Sequence, residues 1–515
     1  MLTRRLLAVL PVVAVLALAS SAQANGVQLS MMMDDDNLVY RSPKTTDRTL
    51  DKMRGLGVDY VRVTVLWKVV GERARNTKRK DKKFRRLGAE NPKAYPKANW
   101  DRYDHLVRAA AARGIGVYFN LTGPGPAWCC PTPPKGEEIN AETWMPNPRE
   151  FKNFVKAVGT RFSGRYRDEN TRGRPKLPRV SFWSLWNEPN QGGWLTPQFW
   201  KGRAYSPMLF RDLYIKGREG LVATGHGDDI ILLGETAPTG KNENRSRAPM
   251  YPTTFIRTLF CVDGNGNRKS GGLGCDSFTS NGPLLASAYA HHPYTKDRAP
   301  TAPDASPDAI TMANLGVLTT LLDTIAEKTG RIQAEIPIAL TEFGYETQPP
   351  DPYNGVTPAE QADYNVLGDL LAWINPRVIS QTQFLLRDVK PIATESKTSR
   401  RRWFTYQSGL YFDNGRAKPA AAAYAFPFLT SKGANGTTLI WGQARFRPNT
   451  ARDFIFIQHK PTGSKTWSNV GDPLVTQARN FFTGSITAPG PGLLRALWLD
   501  FNGSSRATSR TQSVG

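Results

Sequence analysis

Eight short apolar runs, each followed by a stretch with a different periodicity, limit most strongly what this chain can fold into. They are Val27–Met33, Tyr60–Leu66, Gly116–Leu121, Val180–Trp186, Ile230–Leu233, Leu285–Ala290, Ile336–Thr341 and Ile379–Leu385. A near-continuous apolar run is what a parallel strand covered on both faces requires. Between the runs, Thr45–Leu56 places Leu50, Met53 and Leu56 on one helical face, and Trp100–Arg113 does so with Leu106, Val107 and Ala110. Phe151–Phe162 and Met312–Thr329 carry the same 3.6-residue period. Repeated βα units predict an α/β chain, and eight of them over about 400 residues fit a (β/α)8 TIM barrel with long loops. The alternative is a doubly wound open sheet with ligands at one switch point, but no glycine-rich phosphate loop is visible.

After about Ala425 the pattern changes. Thr438–Gln443, Phe454–Gln458, Phe481–Ile486 and Leu494–Phe501 are strand-like runs separated by Pro, Gly and Asn turns. Their spacing predicts a small all-β sandwich. The first residues read as a targeting segment, with Arg4-Arg5, apolar Leu6–Leu18 and a small-residue cleavage site at Ala22-Gln23-Ala24. The expected organisation is a signal peptide at 1–24, a catalytic barrel at 25–427 and a sandwich at 432–515. Export by the general or the twin-arginine route follows, and no later run reaches the ~18 residues of a membrane span.

Lys and Arg number 68 against 44 Asp and Glu, a formal charge of +24. Such an excess favours anionic partners, here an anionic cell wall or polysaccharide surface. Much of it lies in Arg73–Arg86, read either as a solvated, flexible insertion or as a polyanion-docking loop. No motif for nucleic-acid binding accompanies it. Four cysteines in an exported chain favour disulfides. Cys261 and Cys275 flank a Gly/Asn-rich loop and are expected to pair, while Cys129-Cys130 form either a vicinal bridge or cross-links to the other two. Neither a CxxC spacing nor a clear partner set for His291-His292 points to a metal. A monomer with no cofactor is the expectation.

Chemistry is signalled by two carboxylates at strand ends. Glu188 follows Val180–Leu185 within Trp186-Asn187-Glu188-Pro189-Asn190, and Glu342 ends Ile336–Thr341 within Thr341-Glu342-Phe343-Gly344. Parallel barrel strands bring such residues to one rim, where barrel enzymes place their active sites. A carboxyl pair, one a proton donor and one a nucleophile, is the machinery of glycoside hydrolysis. Indoles beside Glu188 suit the acid, and the amide of Asn187 suits a sugar 2-hydroxyl. Arg62, mid-strand in an apolar run, needs a buried partner, and Glu342 is the natural one. His292 and Tyr294 are candidates to orient substrate. Trp128 is either a sugar platform or a loop-packing residue, and Trp183 and Trp186 are expected to divide between core and cleft.

These motifs resemble the clan A retaining glycoside hydrolases, typified by cellulase family 5 and by the β-xylosidase and arabinofuranosidase-like families such as family 39. The resemblance spans Gly26 to Pro427. It rests on Asn187-Glu188-Pro189 after the fourth strand, Thr341-Glu342-Phe343-Gly344 after the seventh, Tyr60-Val61-Arg62-Val63, and His291-His292-Pro293-Tyr294. It implies that Glu188 is the acid/base and Glu342 the nucleophile. Many family 5 members carry a tryptophan at the end of the eighth strand. Here Gln383, Phe384 or the later Trp403 would have to stand in. The C-terminal segment resembles small β-sandwich repeats of exported actinobacterial proteins, through Trp441-Gly442-Gln443, Phe482-Thr483-Gly484 and Leu494–Trp498. The rival to hydrolysis of a carbohydrate is a catalytically silent carbohydrate- or wall-binding protein on the same barrel.

Overall fold

The computed structural model describes residues 28–269, 274–448, 452–500, 502–503 and 505–515. The expected signal peptide, and Val27 of the first predicted strand, lie outside the described residues. Eight parallel strands close a barrel: β1 Leu29–Met33, β2 Tyr60–Leu66, β3 Gly116–Thr122, β4 Phe182–Leu185, β5 Ile230–Thr236, β6 Ala288–His291, β7 Ile338–Phe343 and β8 Val378–Phe384. Each pairs with its sequence neighbours, and β1 pairs with β8 through Leu29↔Ser380 to Met33↔Phe384, which removes both sheet edges. All eight predicted strands are present, β2 with the same limits. The open sheet is excluded.

Helices α1 Pro43–Gly55, α2 Lys78–Leu87, α3 Ala98–Ala111, α4 Pro148–Arg161, α5 Ser206–Val222, α6 Pro252–Leu259, α7 Leu315–Thr329 and α8 Pro358–Ile374 lie between the strands. Side-chain alternation along the strands divides two cores. Outward residues such as Val61, Val63, Phe119, Trp183 and Leu233 pack under the helices in the main cluster. Inward residues Met31, Tyr118, Phe182, Leu232, Ala288, Ala290 and Ala339 fill the barrel interior. Above that layer the inward side chains turn polar. Arg62, Asn120 and Glu235 are fully buried there.

Much of the basic segment is helical. Thr77 caps α2, its hydroxyl accepting from the Lys80 amide, and Phe84 pins the helix to the barrel by packing on Tyr95 and Trp128. Cys261 bonds Cys275 as expected, and Cys129 bonds its neighbour Cys130, so there is no cross-linking between the two pairs. No helix among the described residues is long and apolar enough to cross a membrane.

After helix α9 (Pro419–Ala425), strands β9 Phe428–Lys432, β10 Thr437–Gln443 and β12 Phe481–Thr487 form one antiparallel sheet, and β11 Phe454–Pro461 with β13 Gly492–Leu499 centres a second. Phe428, Ile440, Ile455, Ile457, Phe482 and Trp498 make the core of this sandwich. Its first strand begins at Phe428, ahead of the residue 432 expected from the sequence.

Candidate active site

Beyond β4 the chain adopts a conformation that ordinary residues avoid. Trp186 has φ 74° and Glu188 φ 37°, each costing on the order of 1–3 kcal/mol unless the surroundings hold it. Three consecutive amides do so. Trp186 N–H donates to Leu121 O (2.8 Å), Asn187 N–H to Thr122 Oγ1 (3.0 Å) and Glu188 N–H to Glu235 O (2.9 Å). Asn190 completes the clamp, its side chain bonding Ala237 and Met250 backbone groups. The carboxyl of Glu188 is thereby fixed at the rim with its side chain 20% exposed.

Glu342 is the fifth residue of β7 and reaches the same rim. One carboxylate oxygen from each glutamate and a ring nitrogen of His292 all lie within 4.8 Å of one another. Arg62 donates through Nη1 to Glu342 Oε1 (2.7 Å) and through Nη2 to Asn187 Oδ1 (2.7 Å), leaving the Asn187 Nδ2 for a ligand. Tyr294 Oη donates to Glu342 Oε2 (3.0 Å). His292 sets Nδ1 3.0 Å from Glu188 and Nε2 2.7 Å from Glu235. The expected residues Glu188, Glu342, Asn187, Arg62, His292 and Tyr294 therefore meet in one network.

Glu235 is the member that sequence reasoning missed. Gly234 (φ 114°) and Glu235 (φ 55°) break the β5–β6 register, and a Cβ on Gly234 would stand 2.6 Å from Ala290 O. A bulge at a barrel rim re-aims a side chain. Here it sends Glu235 inward to meet Arg62 (3.0 Å), His292, Thr341 Oγ1 (2.9 Å) and the Tyr118 hydroxyl. Its signal was a third glutamate at the end of an apolar run, here Ile230-Ile231-Leu232-Leu233-Gly234.

The adjacent histidines do different work. Burial drives His291 down to about 3, and its neutral ring bridges Thr236 and Ile310. Burial opposes the charge of His292 too, but the Glu342 charge and hydrogen bonds to Glu188 and Glu235 carry it up to about 10. Burial likewise opposes charge on Glu235, yet Arg62, His292 and Tyr118 hold it well below the usual carboxylate range. The spacing of Glu188, His292 and Glu342 could hold a cation. With a carboxyl group within hydrogen-bond reach of each ring nitrogen, His292 supplies a positive charge to the cluster when protonated.

Other expectations need correction. Trp183 and Trp186 are both fully buried, against Phe119 and Phe151 respectively, and neither enters the cleft. Trp128 is half-buried, edge-on to Trp67 and braced by Phe84, and joins none of the hydrogen bonds of the site. Gln383 is consumed by backbone contacts to Phe384 and Ser408. At the end of β8, Phe384 packs edge-on to Tyr294 and Tyr406. Tyr406, 55% exposed, had no sequence signal. Desolvation of its hydroxyl, then the charges of Glu342 and Glu188, push its phenol up to about 12.

No protein-family model and no curated protein matches this chain. Among solved structures, a family 39 glycoside hydrolase from the gut symbiont Bacteroides cellulosilyticus WH2 is 13% identical over 90% of this chain and 81% of its own, with a TM-score of 0.48. A glucosidase from Croceicoccus marinus is 12% identical over 96% and 93%, with a TM-score of 0.48. GH5_18 from Streptomyces cattleya, in complex with GlcNAc, is 15% identical over 78% and 79%, with a TM-score of 0.47. The chemistry of this chain is read from its own side chains.

Proposed function

We propose that this chain is an exported retaining glycoside hydrolase, cleaving O-glycosidic bonds of an oligo- or polysaccharide by two-glutamate double displacement. One observation carries the reading: oxygens of Glu188 and Glu342 approach within 4.8 Å at the rim of the barrel. Retaining enzymes hold their carboxyl groups about 5–5.5 Å apart, whereas inverting ones need about 6.5–9.5 Å to admit a water.

Glu342, set by Arg62 and Tyr294, attacks the anomeric carbon as Glu188 gives its proton to the departing oxygen. The C–O bond to the leaving group breaks and a glycosyl ester on Glu342 forms. Glu188 then takes a proton from water, which displaces Glu342 and restores both groups. Asn187 Nδ2 meets a hydroxyl of the sugar, and the exposed ring of Tyr406 offers a face to its C–H groups in place of the absent tryptophan. Glu235 touches no substrate; it is a positioning residue that holds Arg62 and His292. The Arg4-Arg5 segment with its cleavage site, together with two disulfides, supports export.

A panel of aryl glycosides tests the reading. Glu342→Gly is expected to abolish turnover. Glu188→Ala should lose about 10²–10⁴-fold on substrates with poor leaving groups and much less on activated aryl glycosides, which leave without a proton. Full turnover by Glu342→Gly on every glycoside that the wild type cleaves would overturn the mechanism.

A further inference from the structure

The loops leaving β3, β4 and β5 enclose an open groove of about 690 Å³ that the two-glutamate chemistry does not use. Its aromatic element is Trp200, half-buried on the short hairpin Phe199–Trp200/Arg203–Ala204 and braced edge-on by Trp144 at 5.0 Å. Around it stand the exposed cations Lys201, Lys241, Arg245 and Arg247. Arg245 is paired with Glu243, but among the described residues Lys201, Lys241 and Arg247 have no carboxylate partner. Arg247 is held by donating to Asn140 Oδ1 at 2.6 Å. The acid of the lining, Glu137, is taken up by Ser246 and Asn140.

The groove's wall packs against the chain that follows Glu188. Gly192, four residues after Glu188, has no space for a side chain because the backbone of Arg247 lies 2.4–2.7 Å from where its Cβ would be. Gln198 N–H donates to Ser246 O at 2.7 Å, and Met250 N–H to Asn190 O at 2.9 Å. One wall of the groove is therefore laced to the loop that carries the proton donor.

On the reading that this barrel cleaves glycans, we infer that the groove binds an acidic polysaccharide, with a sugar ring on Trp200 and sugar carboxylates paired with Lys201, Lys241 and Arg247. Rings supply the apolar faces an indole accepts, and dispersed carboxylates match cations spaced along a wall. A smaller groove at the start of helix α2 also sets a ring, Trp128, beside Arg75 and Lys78, but Arg75 is paired with Asp81 and lies over that ring. The Trp200 groove joins its ring to cations without carboxylate partners, which suits an acidic sugar.

Binding to immobilised polygalacturonate, alginate and hyaluronate, each beside its methyl ester, tests this. The wild type is expected to bind at least one polyuronate about tenfold more tightly than its ester, the worth of three exposed ion pairs together. The margin should shrink as salt rises. A variant carrying Lys201→Ala, Lys241→Ala and Arg247→Ala, melting with the wild type, should lose the margin; Trp200→Ala should weaken polyuronate and ester alike. Replacing Lys80, Lys82 and Lys83 of α2 by alanine should leave it intact. The inference is overturned if no polyuronate shows the margin, if the groove variant keeps it, or if the α2 variant loses it. Equal affinity for oligothymidylate or poly(glycerol phosphate) also overturns it. Polyuronate binding with no turnover of any glycoside would sustain the groove while sinking the hydrolase reading alone.

Discussion

Glu235 shows how a residue that never meets substrate can govern those that do. It is the shared anchor of Arg62 and His292, and both cations are fully buried. Breaking a buried pair strands the remaining charge, at about 3–5 kcal/mol. Glu235→Gln is therefore expected to lower unfolding free energy by that order and to reduce kcat, with chemical denaturation and aryl-glycoside kinetics as the two readouts. His292 adds a pH dependence. Its folded value lies above the ordinary 6.5, at about 10, so its stabilisation is full below about pH 6.5 and is lost as pH rises through about 10. The stability gap between wild type and His292→Gln should be widest near pH 6 and close toward pH 10. Glu188, Glu342, Arg62 and His292 were legible in the sequence because each sits in or directly after an apolar strand run. Glu235 follows an apolar run too, but nothing in Gly234-Glu235 tells that the strand bulges there and aims this side chain inward. Only the bulge at that glycine, a backbone event, turns the next side chain into the barrel.

Elements were legible where burial alone dictates them. The barrel strands are covered on both faces, so each appears as an uninterrupted apolar run, and the helices beneath them show one apolar stripe. Helix α2 escapes this logic, since Phe84 is the one buried residue in ten. Its N-cap at Thr77 and the Asp81 ion pairs with Arg75 and Arg85 make it a helix without an apolar stripe. Its tertiary anchoring thus rests on one ring. Phe84→Ala removes that ring and is expected to free the helix locally without unfolding the barrel. Trypsin, which has many sites between Lys78 and Arg86, should nick the variant at least about tenfold faster than the wild type while the global melting temperature shifts little. Unchanged proteolysis would mean that the helix is held by its caps and ion pairs instead.

At the scale of the whole molecule, closure was legible from the count of eight βα units, which a TIM barrel requires. The seat of the sandwich on the barrel was not, because it joins residues that share no pattern in the sequence. Trp441 and Phe481 of the sandwich belong to the main core cluster and pack on Trp373 of α8. Beside them Arg445 donates to Asp369 Oδ2 at 3.0 Å and to Tyr424 O at 2.9 Å, with both charged groups buried. Burial raises the Asp369 carboxyl above its ordinary value, and Arg445 restrains that rise. A buried acid with a raised folded pKa is tolerated when protonated and costs stability as pH climbs past it. Arg445→Met removes the restraint, so its stability deficit should be small near pH 4 and grow to about 3–5 kcal/mol by pH 7. If the sandwich and barrel are one cooperative unit, calorimetry of this variant should show a single transition moving down with pH, not a second transition separating from the first. A deficit independent of pH would show that Arg445 acts by packing on Tyr424 rather than by its charge.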